Sequence, residues 1–371
     1  MGKGDSLADQ LFNETSLHLL AGGFEKAGVF QAKPFVADVV RGFPALALKQ
    51  RITHIADHLS KVLPSDFLSA KDAILAGLPP PLDPSKNDND FGHFVYASLG
   101  VYVEKHGLAG HIESSLDLLE QITQRFSMEF SLRAFWNHNK AATLAKVQGW
   151  TQHPSYHVRR LASEGTRPRL PWGQNVHLTP EETLPILDAL HADRTQFVTR
   201  SVDNHLNNIT KKDPDAVLGR LDMWRKSGMQ SPSEADWMRK HALRTLVKSG
   251  HEGAMVHLGY ATDLVVKNAK ISIPAKVYLN DKLKIEVGFV PQAGGPIIVD
   301  YVIGFRKANG KISEKTFKLK VLNGVSQVPI SLAKMHHFDG TATTFKLYAG
   351  VHHIHLQLNG RKVATQAFTV S

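Results

Sequence analysis

Apolar residues recur at three- and four-residue spacings up to about residue 265, as in ALALKQRITHIADHLSKVL (45–63) and SSLDLLEQITQRF (114–126). That spacing gathers them on one face of a helix. Helix starts are marked too. Thr179-Pro180-Glu181-Glu182 and Ser231-Pro232-Ser233-Glu234 read as capping boxes with proline in the first turn, and Asp213-Pro214 opens a further helix. GLPPPLDPSKNDND (77–90) breaks the pattern and predicts a loop after an N-terminal helical subgroup. From Lys270 the period becomes two. KLKIEVGFV, IIVDYVIGF, KTFKLKVL, TTFKLYAG and HHIHLQLNG predict strands separated by turns, an antiparallel sandwich of immunoglobulin-like size. The pattern therefore predicts a multidomain chain, all-α over 1–268 and all-β over 269–371, with the boundary near Asp263 to Ala269.

The helical part carries a weak repeat. FSLRAFWNH (from Phe130), YHVRRLASE (from Tyr156), FVTRSVDNH (from Phe197) and WMRKHALRT (from Trp237) each open on an aromatic residue. A basic residue follows three positions later: Arg133, Arg159, Arg200 and Lys240. An amphipathic helix precedes each copy, and the later copies lie about 40 residues apart, the habit of HEAT-type helical pairs. Such pairs stack so that equivalent helices line one surface. The repeated cations then predict a basic stripe that tracks phosphates, rather than four isolated ion pairs.

Charge sharpens that expectation. The chain carries a net +10, and the segment from Lys270 to the end holds 14 Lys and Arg against 5 Asp and Glu. The rest is nearly balanced, so the sandwich is the basic module, which suits a polyanion and most simply nucleic acid. There are no cysteines, which excludes disulfides, thiolate metal sites and cysteine nucleophiles. No apolar run is long enough for a membrane span, and MGKGDSLADQLFNE lacks the apolar core of a signal peptide. A cytoplasmic protein with no membrane role is expected, nucleoid-associated in a bacterium. No P-loop, dinucleotide fingerprint or nucleophile elbow is present, and no cofactor or metal is expected. His352, His353 and His355 read better as solvated side chains than as ligands.

The densest chemistry lies in HVRRLASEGTRPRLPWG (157–173). Glu164 falls in the last turn of a helix, where the dipole disfavours negative charge, and Gly165 suits the position that ends it. Arg160 one turn earlier makes a surface ion pair the plain alternative. An acid so placed among arginines also suits a site that faces a cation. TRPRLPWG leaves the helix as a proline-stiffened loop bearing Arg167, Arg169 and Trp172. In RSVDNHLNNITKKDP (200–214), Asp203 sits mid-helix despite poor propensity, and Asn204, Asn208, Lys211 and Lys212 suit sugar–phosphate contacts. Glu129 opens an earlier helix of the repeat, where the dipole favours it.

HPSYHVRRLASEGTRPRLPWG followed by RSVDNHLNNITKKDPD resembles the AlkC-type alkylpurine DNA glycosylases, members of the AlkC/AlkD superfamily of HEAT-like repeats. The first motif is long and specific, the second looser. Some members carry a C-terminal immunoglobulin-like domain, so the likeness extends to both parts of the chain. It implies a monofunctional enzyme that releases cationic N3-alkylated bases, 3-methyladenine and 3-methylcytosine, from duplex DNA without a deep base pocket or an obligate protein partner. Such a base leaves without protonation, and a carboxylate stabilises the oxocarbenium-like sugar. Glu164 and Asp203, with Glu129 in a lesser role, are then the catalytic carboxylates. The Trp172 indole would face the cation, and Arg159, Arg160, Arg167, Arg169 and Arg200 would hold phosphates. The sandwich would be a DNA-binding accessory. A non-catalytic DNA binder and a protein scaffold are the competing readings.

Overall fold

The computed structural model describes residues 6–86, 90–340 and 346–371. Its helices are α1 (Leu7–Leu11), α2 (Glu14–Lys26), α3 (Ala32–Gly42), α4 (Leu48–Val62), α5 (Phe67–Gly77), α6 (Ala97–Gly107), α7 (Ile112–Thr123) and α8 (Glu129–His138). They continue with α9 (Lys140–Trp150), α10 (Tyr156–Glu164), α11 (Pro180–Leu190), α12 (Gln196–Ile209), α13 (Pro214–Ser227), α14 (Pro232–Ala242), α15 (Arg244–Ser249) and α16 (Glu252–His257). The caps read from the sequence start them. The Ser231 amide donates to Glu234 Oε2 at 3.0 Å and the Glu234 amide to Ser231 Oγ at 3.3 Å. The Thr179 amide donates to Glu182 Oε2 at 2.8 Å, and Asp213 Oδ1 accepts from the Ala216 amide at 2.9 Å.

The chain divides into two compact units, Met1–Ile209 with Met223–Met238, and Thr210–Asp222 with Arg239–Ser371. In the first, α4 packs on α6 and α6 on α8, while α5 packs on α7 and α7 on α9. Helices two apart thus share a layer and chain neighbours join the layers, which is HEAT-like stacking. α10 packs on α12, with α11 against both. Leu132, Leu161, Val202 and Leu206 are fully buried there, each worth about 1.5–3 kcal/mol over exposure. Gly165 ends α10 with φ −69°, not left-handed, so the expected reason for glycine is corrected. A Cβ at Gly165 would lie 2.5 Å from Leu132 Cδ2; the glycine is there so that the chain can pass close to α8.

The second unit holds two sheets. β1 (Val266–Ser272), β3 (Lys282–Pro291) and β6 (Ile330–His337) form one, in the order β1-β3-β6. β2 (Lys276–Val277), β4 (Gly295–Arg306), β5 (Ile312–Gly324), β7 (Gly350–Leu358) and β8 (Arg361–Val370) form the other, in the order β2-β8-β7-β4-β5. Ile285, Val299, Ile303, Ile354 and Leu356 meet between them with no exposure. β4 is buried on both faces from Ile297 to Tyr301 and beyond, which is why IIVDYVIGF reads as a nearly unbroken apolar run. Its outward face is covered within the unit by the segment after α14. Gln357 Nε2 and Thr316 Oγ1 both donate to the Lys248 carbonyl, and Asn359 Nδ2 donates to that of Ala261. Of the expected strand TTFKLYAG, residues 343–345 lie outside the described residues, and Lys346 to Ala349 are not strand; β7 begins at Gly350. His352 is fully buried, its Nε2 2.9 Å from the Tyr348 carbonyl, so it is a core residue and not a solvated one.

Candidate functional site

A cleft of about 650 Å³ in the first unit is walled by Phe91, Phe94, Phe130 and Phe197, and Glu129, His157 and Arg160 are among its polar residues, with Trp172 at one side. Three elements build it. α8 presents Glu129 from its first turn, α10 presents His157 and Arg160 one turn apart on one face, and the loop after α10 brings Trp172. α12 supplies Phe197 as a floor.

Arg160 organises the charges. Its Nη1 donates to Ser127 Oγ at 2.9 Å and lies 3.8 Å from Glu129 Oε2; its Nη2 lies 3.9 Å from Glu164 Oε1. The guanidinium carbon stands 4.7 Å from the centre of the Phe197 ring, a cation–π contact. Glu164 lies behind this front and is buried. Arg167 Nη1 binds its Oε1 at 2.5 Å and Ser201 Oγ donates to its Oε2 at 2.6 Å. Burial alone would raise the carboxyl, but Arg160, Arg167 and the Ser201 hydroxyl outweigh it and hold Glu164 below its ordinary value. Glu164 is therefore a fixed carboxylate with both oxygens engaged. Glu129 differs: its buried Oε2 accepts no hydrogen bond among the described residues and belongs to the cleft wall.

Trp172 is 57% exposed and has a left-handed backbone, φ 71°, a conformation costly for a bulky residue and typical of functional loops. Two cations hold it there. Lys49 Nζ donates to the Trp172 carbonyl at 2.6 Å. Arg133, with no exposure, donates to the carbonyls of Arg167 (2.8 Å), Pro168 (3.1 Å) and Gln174. Gly173 lets the chain lie against it, since a Cβ there would sit 3.0 Å from Arg133 Cδ. Burial, aided by Arg167, pushes the Arg133 guanidinium down to about 10.

The structure revises the basic stripe. Arg133 clasps a loop, and so does Arg159. The Arg159 side chain is 9% exposed, with Nε 2.5 Å from Asp193 Oδ2, Nη2 3.1 Å from Asp193 Oδ1, and Nη1 donating to the carbonyls of His153 and Pro154. In these two copies the position three residues after the aromatic points at the connection between helices, where a five-donor fork satisfies loop carbonyls. Arg159 is thus corrected from a phosphate contact to a structural clasp. Arg167 is spent on Glu164 and on Asn208 Oδ1, to which its Nε donates at 3.0 Å, so Asn208 is a partner inside the site. Arg200 is half-buried beside Gln196, and Asn204 is half-buried on α12. Arg169, Lys211 and Lys212 are exposed. Asp203 is 1% exposed on α12 and, like Glu164, lies behind the residues that wall this cleft. Pattern reading gave no role to Lys49, Ser127, His157 or Ser201. Lys49 lies far from either motif in sequence, and Ser201 lies in the second, so only the fold brings them to Trp172 and Glu164. Among the described residues, no group of three or more His, Asp or Glu could hold a metal ion, and no helix is long and apolar enough to cross a membrane.

Stacked helical pairs bearing this cleft, continued by a basic sandwich, define a HEAT-like repeat protein with a C-terminal immunoglobulin-like domain. Residues 116–248 match the family described as "DNA alkylation repair enzyme", and residues 265–371 that described as "Uncharacterised protein YhaZ, C-terminal Ig-like domain". The "Uncharacterized protein YhaZ" of Bacillus subtilis (strain 168) is 32% identical over 326 residues, 86% of each chain. The solved structure of Pseudomonas fluorescens alkylpurine DNA glycosylase AlkC, bound to DNA containing an abasic site analog, superposes with a TM-score of 0.85 at 30% identity, covering 99% of this chain and 100% of that one. The chain belongs to the AlkC-type family of DNA alkylation repair proteins.

Proposed function

We propose that this protein is a monofunctional DNA glycosylase that hydrolyses the N-glycosidic bond of cationic N3-alkylated bases, 3-methyladenine and 3-methylcytosine, in duplex DNA. The observation that carries the reading is the shared cleft of an exposed indole and an unbonded carboxylate oxygen, Trp172 and Glu129 Oε2. An indole face and a carboxylate both favour positive charge. A cationic lesion and an oxocarbenium-like sugar supply it in succession. Glu164, kept ionised by its arginines, adds a second negative charge behind the front. A carboxylate about 4 Å from the developing cation, at an effective dielectric near 20, contributes about 4 kcal/mol, or roughly a thousandfold in rate. Trp172 stands at the cleft's exposed side, which supports approach to the lesion from outside and not through a closed base pocket.

Family membership and the likeness to the P. fluorescens glycosylase support DNA as the partner. Arg169, Arg200, Lys211 and Lys212 are the phosphate contacts in this reading, with Asn204 beside them. The sandwich is the DNA-binding accessory, supported by a cleft of about 610 Å³ that Arg306, Lys307, Lys315 and Lys346 line together with Phe305 and Phe317. We keep the division into a catalytic part over 1–268 and an accessory over 269–371 as part of the proposal. The test is release of free base from duplexes carrying N3-methyladenine or N3-methylcytosine, read by chromatography and by alkali cleavage of the abasic product. Glu129→Gln and Trp172→Ala should slow single-turnover release by two or more orders of magnitude with duplex affinity largely kept. Wild-type protein that binds duplex but frees no base would sink the reading.

A further inference from the structure

Two buried polar atoms in the cleft wall accept or donate no hydrogen bond among the described residues: Glu129 Oε2 and His157 Nε2. Buried polar atoms left open in this way mark a site for water or a ligand. Both residues line this cleft, and Arg160 lies next to each: it is one helical turn from His157, and its Nη1 is 3.8 Å from Glu129 Oε2. The surroundings of His157 restrict what it can be. Its ring packs 4.1 Å from Tyr156 and 5.5 Å from Phe197, centre to centre, and only 5% of the residue is exposed. Burial depresses the imidazole to about 4, against the pull of Asp90 and with the push of Arg160. At neutral pH it is uncharged, so with its proton on Nδ1 it offers Nε2 as an acceptor.

We propose that Glu129 Oε2 and His157 Nε2 together hold the attacking water, each accepting one of its protons. This rests on the glycosylase reading and assigns a further catalytic residue to it. With both protons engaged, both lone pairs of the water oxygen face outward into the cleft, toward the sugar carbon beside Trp172. The N-glycosidic bond breaks first, and its electron pair leaves with the base, which is thereby neutral. The positive charge stays on the sugar as an oxocarbenium. The water oxygen then bonds to C1′, and the proton it loses passes to the Glu129 carboxylate. His157 orients and is not protonated. Arg160 is shared between Glu129 and Glu164, 3.8 Å from the one and 3.9 Å from the other.

Methanol tests the arrangement, since it has one hydroxyl proton and cannot satisfy two acceptors. Wild-type protein should therefore discriminate against methanol and give mostly the hydrolysed abasic sugar in mixed solvent. His157→Phe keeps the ring and loses the nitrogen. It should excise about 10- to 100-fold more slowly, the cost of a misplaced reactant, and should raise the share of methyl glycoside at C1′. His157→Leu serves the same purpose if the phenyl ring prevents folding. A variant that excises at the wild-type rate, or is slowed with an unchanged methanol share, overturns the inference while leaving the glycosylase reading in place. Absence of base release by wild type overturns both.

Discussion

Replacing Arg133 with methionine separates the stability of the domain from the order of its loop. Methionine keeps the apolar stem and removes three donations, to the carbonyls of Arg167, Pro168 and Gln174. Hydrogen bonds from a charged donor contribute about 1.5–3 kcal/mol each, so the three sum to roughly 5–9 kcal/mol before costs. Against them stands the burial of the guanidinium, of the order of 3 kcal/mol for a group driven from 12.5 to about 10. The net, roughly 2–6 kcal/mol, goes into holding the loop between Gly165 and Gln174, which bears Trp172. The loop carbonyls are only partly buried and can take water once released. Global unfolding should then shift little, while the population with Trp172 in place falls by about 30-fold or more. Thermal melts and limited proteolysis read the two effects separately, and single-turnover excision reads the consequence. Arg133→Met should cut first within 165–175, lose excision, and melt within a few degrees of wild type. Unchanged proteolysis and excision would refute the clasp; a collapse of the whole melt would show that Arg133 holds the domain and not the loop.

Two further outcomes follow from the same geometry. Arg159→Met breaks a buried ion pair and should cost about 3–5 kcal/mol of stability without changing the salt dependence of duplex binding, whereas Arg169→Ala should leave the melt unchanged and lower the salt slope by about one; the reverse pattern would restore the stripe. Glu104, on α6, has its carboxyl raised to about 7 by burial, which a Ser131 hydrogen bond and Lys105 only partly offset. Between pH 4.5 and 7 the folded state binds the extra proton, so stability falls as pH rises through that window. Glu104→Gln should therefore raise the melting temperature at pH 8, by an amount worth roughly 1–3 kcal/mol, and leave it unchanged near pH 4.5; equal shifts at both values would refute the assignment.

The helices, their caps and the switch to a two-residue period were legible because each depends on neighbours within one or two turns. The same locality explains the failures. β4 carries Asp300 in an apolar run, and nothing nearby in the chain says that a segment around Lys248 covers its outer face. β6, with Lys334 and Met335 exposed, alternates too weakly to be read. The arginine repeat was visible as a spacing, but the direction of each side chain was not. Arg133 and Arg159 turn toward loop carbonyls that are contributed up to 41 residues away. In the candidate site, the motif from His157 to Gly173 singled out Glu164 and Trp172 because they lie within one short stretch, and it took Arg160 for a phosphate contact, whereas the fold turns it onto Ser127, Glu129 and Glu164. It undervalued Glu129, whose importance comes from an oxygen left without a partner, and a sequence records no hydrogen bonds.

That difference between the carboxylates decides how the site can work. Glu164 has a serine on one oxygen and an arginine on the other, so taking up a proton would break contacts that already hold it ionised. It can supply field but is a poor base. Glu129 has one oxygen facing Arg160 at a long 3.8 Å and, among the described residues, no hydrogen bond there, so that oxygen is left to accept one from water. A site built to release a neutral base would need an acid as well, and Glu164 is held ionised by its arginines. A cationic base needs no acid. In the proposed glycosylase reading, the arrangement of one locked carboxylate, one open carboxylate and a neutral imidazole therefore suits substrates that carry their own positive charge.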